Sequence, residues 1–386
     1  MTCAPPARRA ARALCLAALA MVAAGPVSAG QAADSASPTL QVDVQVVDRD
    51  GRPIPALTAD KFEVEVAGRR RRVVSAEVVD ALAAPSPDSL AGRQVYFIAV
   101  DTLSFAPGAS NAAIAAIRTF IDTLPDGSLL GLVTFPAGPS AELTTDHAAV
   151  SAALDSLSGQ RPAQSAGPFA IGLSDMLEYM SSPDRTAITQ TFCGQEMAQE
   201  DGCPQRLEQE VAAAVRGLET QARASLGMLT DFSNRLTQVP ARKVVVFVSA
   251  GLPVAQRSGG RPDVGTMPVV LAETATRADV AFYTLLLDRL PGNDGGGRAS
   301  SNASRDREAL GRWLDQFSAS MAGALVRVQS GQTAEAFERI ARETGAYYRL
   351  TVDSTEADAA ERPQRLRVRV DARGATVRAR QLVKGR

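Results

Sequence analysis

From Thr39 the chain alternates between apolar and polar positions. Leu40, Val42, Val44 and Val46 fall on one side, with Gln41, Asp43 and Gln45 on the other. A period of two marks a half-buried strand. Residues 48–51 (DRDG) make a turn, 62–66 (FEVEV) alternate again, Ala67-Gly68 forms a second turn, and 71–79 reads as a third strand. Residues 39–80 are therefore predicted to form a small antiparallel β module. The four arginines 69–72 beside the second turn read as a solvated hairpin flank.

After a linker at 81–92 (ALAAPSPDSLAG) the pattern changes. Residues 95–100, 129–135 and 244–248 are continuous apolar runs, as expected of strands covered on both faces. Between them the period becomes helical. In 110–124, Ile114, Ile117, Phe120, Ile121 and Leu124 share one face, with Ser110 placed as N-cap. Further helices are predicted at 146–157 (capped by Asp146), 168–180, 206–237, 268–278, 305–321 and 332–344. Further strands are predicted at 281–287 and 324–328. Strands alternating with helices predict a doubly wound, mostly parallel sheet with helices on both faces, spanning 93–345. The segment 291–304 (PGNDGGGRASSNAS) reads as a mobile loop. Its Gly295-Gly296-Gly297 lacks the spacing of a phosphate cradle. Residues 346–386 return to β, with 371–374 (DARG) as a hairpin signal. Chain ends often lie close together, so the N- and C-terminal β segments are expected to join in one small module.

Residues 1–29 carry Arg8, Arg9 and Arg12, an apolar run 14–24 and the small-residue ending Val27-Ser28-Ala29. This is the pattern of a secretory signal peptide; whether it is cleaved or kept as an anchor is left open. Residues 30–38 read as a disordered leader. Cleavage would remove three arginines and no acid, moving the formal charge from −1 to −4. No later run is apolar and long enough to span a bilayer. The expected location is extracytoplasmic, periplasmic or secreted. Cys3 and Cys15 lie in this segment, which leaves Cys193 and Cys203 as one expected disulfide inside an insertion at 181–205.

Composition then narrows the chemistry. The 41 Lys+Arg against 42 Asp+Glu argue against a nucleic-acid scaffold. One histidine, His147, rules out sites that need several imidazoles. It stands at a helix start with no G-x-S-x-G elbow anywhere. The carboxylate pairs Glu208/Glu210 and Asp306/Glu308 read as solvated helix faces, and Trp313, Phe317, Tyr347 and Tyr348 as core.

In an open α/β sheet, ligands bind beyond the carboxyl ends of the strands. After the first strand stands Asp101-Thr102-Leu103-Ser104-Phe105, and after the central one Ser249-Ala250-Gly251-Leu252-Pro253. An apolar strand running into Asp-x-x-Ser, and a later Lys-Val-Val-Val-Phe-Val strand ending in Ser-x-Gly-x-Pro, resemble a von Willebrand factor type A (VWA) domain. Residues 42–73, and 336–350 with the β tail after them, are similar to the leader and tail of a secreted bacterial VWA-related subfamily.

The resemblance implies a metal-ion-dependent adhesion site. That site uses D-x-S-x-S, a Thr in a later loop near 165–170, and an Asp after the central strand. Asp101 matches. Leu103 and Phe105 stand where the two serines belong, Ser104 is out of register, the loop 165–170 (SAGPFA) has no Thr, and Ala250 replaces the last Asp. The expectation is a degenerate site with no cofactor. If Mg²⁺ were held, Asp101 and Ser104 would be its ligands, with Ser249 or Asp288 as alternative oxygens. The implied function is an exported, non-catalytic module that binds a protein partner through Asp101, Ser104, Phe105, Ser249 and Gly251, with Pro107, Leu252 and Pro253 adding apolar contact. An envelope assembly subunit, a metal-dependent adhesion module and a serine hydrolase are the alternatives. The partner and the oligomeric state are left open.

Overall fold

A computed structural model describes residues 38–81, 90, 93–161, 168–197, 202–257, 259–287, 302–328, 333–355, 358 and 363–384. The signal peptide, nearly all of the leader and linker, Asp288 and most of the 291–304 loop lie outside the described residues.

The α/β part is built on six strands: β5 (Gln94–Asp101), β6 (Leu129–Phe135), β7 (Ala141–Thr144), β8 (Arg242–Ser249), β9 (Val280–Leu287) and β10 (Leu325–Val328). Their order is β10-β9-β8-β5-β6-β7. All neighbours are parallel except β6 and β7. This is the doubly wound, mostly parallel sheet expected from the alternation, with an antiparallel edge strand. Every residue of β8 and β9 is buried, which is why the centre of β8, 244–248, and most of β9 run apolar rather than alternating.

Each face is covered by helices. On one side α1 (Ser110–Thr123), α2 (His147–Ala153) and α8 (Thr333–Thr344) pack Ile117, Phe120, Val150, Phe337 and Ile340 against Ile98, Val100, Val246 and Val248. On the other, α5 (Cys203–Leu236), α6 (Met267–Arg277) and α7 (Ala303–Ser320) set Leu229, Phe232, Leu271, Trp313 and Phe317 against Ala99, Val245, Phe247 and Phe282. Successive strand residues thus alternate between two cores. Trp313 and Phe317 are stacked at 5.0 Å, so the aromatic positions 313 and 317 are core, as the sequence predicts. Two further helices, α3 (Leu173–Ser181) and α4 (Thr186–Met197), precede α5. Among the described residues, no helix is long and apolar enough to cross a membrane.

The flanking segments do form one module. β1 (Thr39–Val47), β4 (Val73–Asp80), β11 (Ala346–Asp353) and β13 (Thr376–Ala379) make one antiparallel sheet, ordered β13-β1-β11-β4. β2 (Phe62–Val66), β3 (Arg69–Arg71), β12 (Gln364–Val370) and β14 (Leu382–Val383) make the other, ordered β14-β12-β2-β3. Both sheets mix strands from the two ends of the chain. Their alternating apolar faces close on a single core that includes Val42, Val44, Val64, Leu350 and Leu366.

Local expectations needed correction in three places. The 371–374 turn does not join a hairpin. It carries the chain from β12 in one sheet to β13 in the other, because each strand's apolar side finds its partner across the sandwich. Ser110 is not an N-cap: its hydroxyl donates to the Pro107 carbonyl (2.7 Å) and accepts the Gly159 N–H (2.9 Å). Strand β7 and helix α4 were not foreseen; β7 is four residues long, too short for a period to show. The Asp146 cap is present, its Oδ1 accepting the Ala149 N–H at 3.0 Å.

Candidate functional site

Strand β5 is apolar until its last residue, and the chain then enters a 3₁₀ turn over Thr102–Ser104. The helix after β5 lies on one face of the sheet and the helix after β8 on the other. The gap between these strands is therefore the topological switch point, where ligand sites of open α/β sheets form. Here the structure brings together all five residues singled out from the sequence.

Asp101 is fully buried. Ser225 of α5 donates to its Oδ1 at 3.1 Å, and Ser249 at the end of β8 donates to its Oδ2 at 3.3 Å. The Leu103 N–H also bonds the carboxyl. Burial nonetheless dominates and raises the pKa of Asp101 from 3.8 to about 7, against the opposing pull of those three donors. Ser104 faces away from the carboxyl. Its hydroxyl donates to the main-chain oxygen of Asp101 (2.7 Å) and accepts the Ala250 N–H (2.8 Å), lashing the end of β5 to the end of β8. Ser249 Oγ accepts the Gly251 N–H at 3.1 Å. Gly251 has φ +130, and a Cβ there would lie 2.6 Å from Leu310 Cβ of α7, so only glycine fits.

These residues do not fit a divalent ion. Hard cations want several oxygens, usually more than one carboxylate. Among the described residues Asp101 is the sole carboxylate in this arrangement, its two oxygens already accept hydroxyls, and Ser104 is committed to the main chain. Among the described residues, no group of three or more His, Cys, Asp or Glu could hold a metal. Of the alternative oxygens, Ser249 reaches Asp101 and Ser104 does not; Asp288 lies outside the described residues.

Burial also corrects the proposed contact residues. Phe105, Leu252 and Pro253 are buried. Phe105 packs into the core beside Ile117, and Leu252 into the opposite core. Neither can touch a partner in this conformation. Pro107 is exposed. The loop seated on residues 102–105 is 159–161: Gln160 N donates to Thr102 O (2.7 Å) and Arg161 N to Phe105 O (3.0 Å). Gly159 permits this approach, since a Cβ would stand 2.4 Å from Phe105 O and 2.5 Å from Ala106 O. Gly159→Ala forces two backbone segments apart. It is expected to cost about 1–3 kcal/mol, the range for overpacking, read as a lower denaturant midpoint with unchanged slope.

Beside the sealed pair of strand ends lies an open cleft of about 770 Å³, lined by α3, α7 and the loop after β8. Glu178 and Arg305 pair across it at 2.8 Å, and Arg312 pairs with Glu308 at 2.7 Å. Glu219 of α5, 6% exposed, accepts Arg261 Nη1 (2.7 Å) and the Asp263 N–H (2.9 Å). It thereby pins the floor loop of the cleft to α5. The Cys193–Cys203 disulfide joins α4 to α5 inside a buried patch with Tyr179, Leu207 and Val211, a structural cross-link.

Sequence reading missed Ser225 and Glu219. Their signal was a polar residue within the apolar stripe of α5, but only the folded chain shows what each faces. His147 lies away from the switch point: its Nε2 bonds the carbonyl of Ser128, just before β6. Of the carboxylate pairs, Glu208 and Glu308 are exposed, as the sequence predicts, while Glu210 and Asp306 are half-buried. Glu208 binds Arg185, Glu210 accepts the Phe169 N–H, and Asp306 accepts the Ser174 N–H.

No family model and no curated protein matches the chain. Among solved structures it is similar to an aerotolerance-related membrane protein from Bacteroides fragilis NCTC 9343 (15% identity, covering 66% of this chain and 98% of that one, TM-score 0.32). It is also similar to the conserved hypothetical protein BatB from Bacteroides thetaiotaomicron (15%, 65% and 98%, TM-score 0.33), and to a von Willebrand factor type A protein from Catenulispora acidiphila (11%, 91% and 75%, TM-score 0.32). Likeness at this level carries nothing about binding or activity.

Proposed function

We propose that this chain is an exported, non-catalytic protein-interaction module that docks its partner at the strand carboxyl face without a bound metal. The observation that carries the reading is the state of Asp101. The carboxyl that would anchor a metal is buried and its oxygens are taken by Ser225 and Ser249, while an open, charged cleft lies on the loop that follows β8. Recognition then rests on the cleft rim and on Pro107, not on Phe105. Export rests on the pattern of residues 1–29 and agrees with a disulfide. The non-catalytic reading is supported by the lone histidine, which bonds a main-chain carbonyl, and by Glu208 and Glu308, which pair with surface arginines.

Two measurements test the reading. Mg²⁺, Mn²⁺ and Ca²⁺ at millimolar concentration are expected to leave Tm unchanged, whereas an ion present at a hundred times its Kd would stabilise by about 2.7 kcal/mol. A photo-crosslinking residue at Arg257, exposed in the cleft, is expected to capture a partner in the native host; the same residue at Glu142, exposed on β7, is not. A metal-dependent rise in Tm, or equal capture at both positions, would sink the proposal.

A further inference from the structure

The opposite, amino-terminal end of the sheet holds a second concavity. At the start of β8, where the α/β part meets the sandwich, a cleft of about 310 Å³ is lined by Gln41, Arg242, Lys243, Asp279, Tyr347 and Arg349, among others. Arg242 and Lys243 are 8% and 4% exposed. The Arg242 guanidinium stacks on the Tyr347 ring at 3.9 Å, and Arg349 approaches the same ring at 5.5 Å.

The cations outnumber the acids. Arg349 pairs with Asp43 at 3.1 Å, and Arg380 pairs with Asp279. Arg242 and Lys243 then share Asp279 with Arg380 instead of holding a carboxylate of their own: Lys243 Nζ donates to the Val239 carbonyl (2.8 Å), and Arg242 Nη1 is buried with no hydrogen-bond partner. Glu77, opposite Arg349 in the strand register, is exposed and makes no ion pair with it. Buried charges are ordinarily paired, because an uncompensated one is costly to desolvate. Four cations around two acids leave a deficit of negative charge. The donors present are of the kind that take an oxyanion: two guanidinium groups, an ammonium and a phenol.

We propose that this cleft binds a tetrahedral oxyanion, a phosphate group, between Arg242, Lys243 and Arg349. Because Arg242 and Lys243 belong to the α/β part and Tyr347 and Arg349 to the sandwich, the bound anion ties the two together. The site is independent of the docking face proposed above and stands or falls without it.

Calorimetric titration of the full chain with inorganic phosphate, and separately with phenyl phosphate, tests the proposal, with sodium chloride at matched ionic strength as control. Heats that saturate at one phosphate per chain are expected. Phosphate also stabilises proteins by exclusion from their surface, so saturation and variants decide, not a rise in Tm alone. Arg242→Gln and Arg349→Gln are each expected to weaken binding by about tenfold or more, the loss of one charge-assisted hydrogen bond. Arg349 is the more exposed, so its variant decides if the other fails to fold. Equal binding of both probes assigns the cleft to a phosphate carried on a larger molecule; binding of inorganic phosphate alone assigns it to the free ion. No saturable heat with either probe, or unchanged affinity in the folded variants, overturns the proposal.

Discussion

Asp101→Asn is expected to raise the stability of the protein at pH 8 and to leave it nearly unchanged at pH 4. The carboxyl is fully buried, and its pKa stands at about 7 against 3.8 unperturbed. Between those values the native state holds a proton that the unfolded chain has released. Stability therefore falls as pH rises from about 4 to about 7, and the loss is complete above 7. At about 1.36 kcal/mol per tenfold change, the full penalty is on the order of 4 kcal/mol. Asparagine removes the charge, keeps an oxygen for one serine hydroxyl and offers an N–H₂ to the other. Urea melts of both proteins from pH 4 to pH 8 should show a gap that opens with pH in favour of the variant. A variant equally destabilised at both ends would show that Asp101 is ionised and well paired in the fold. A variant that loses a Mg²⁺-dependent stabilisation seen in the native chain would restore the metal reading.

Glu343→Ala is expected to cost about 3–5 kcal/mol, the range for removing one partner of a buried ion pair. Glu343 on α8 has a side chain only 2% exposed and is held by three groups. Arg378 of β13 donates through Nε (2.7 Å) and Nη2 (3.0 Å), Arg339 through Nε (2.8 Å), and the Tyr283 hydroxyl from 3.4 Å. Arg378, whose side chain is 15% exposed, also donates to the Gly323 carbonyl at 3.1 Å. Removing the carboxylate leaves that largely buried guanidinium without its counter-charge where the sandwich meets the α/β part. Denaturant melts should show the loss, and limited proteolysis should cut the variant near β13 before the native chain. A loss under about 1 kcal/mol would mean that apolar packing alone holds the seam.

Much of this architecture was legible in the chain. The run Val244–Val248 and the alternation from Leu40 to Val46 each report one element's surroundings, because side-chain period follows local backbone geometry. Both became strands of the expected kind. The candidate site was legible to the level of which loops meet, since strand ends in a doubly wound sheet must converge at the switch point. Its character was not. Phe105 could be read as an exposed contact because nothing adjacent in sequence states that α1 and the 159–161 loop will cover it.

The sequence by itself determined the strand and helix alternation, the two-part β flank and the cysteine pair. Tertiary structure alone decided that Ser225, 124 residues further along, would close over the Asp101 carboxyl, and that the 371–374 turn would cross between sheets. It also decided that Arg242 and Arg349 would share one aromatic ring. Each of these depends on contacts between residues far apart in the chain. A local pattern carries no information about them; only the competition to bury apolar faces and pair buried charges does.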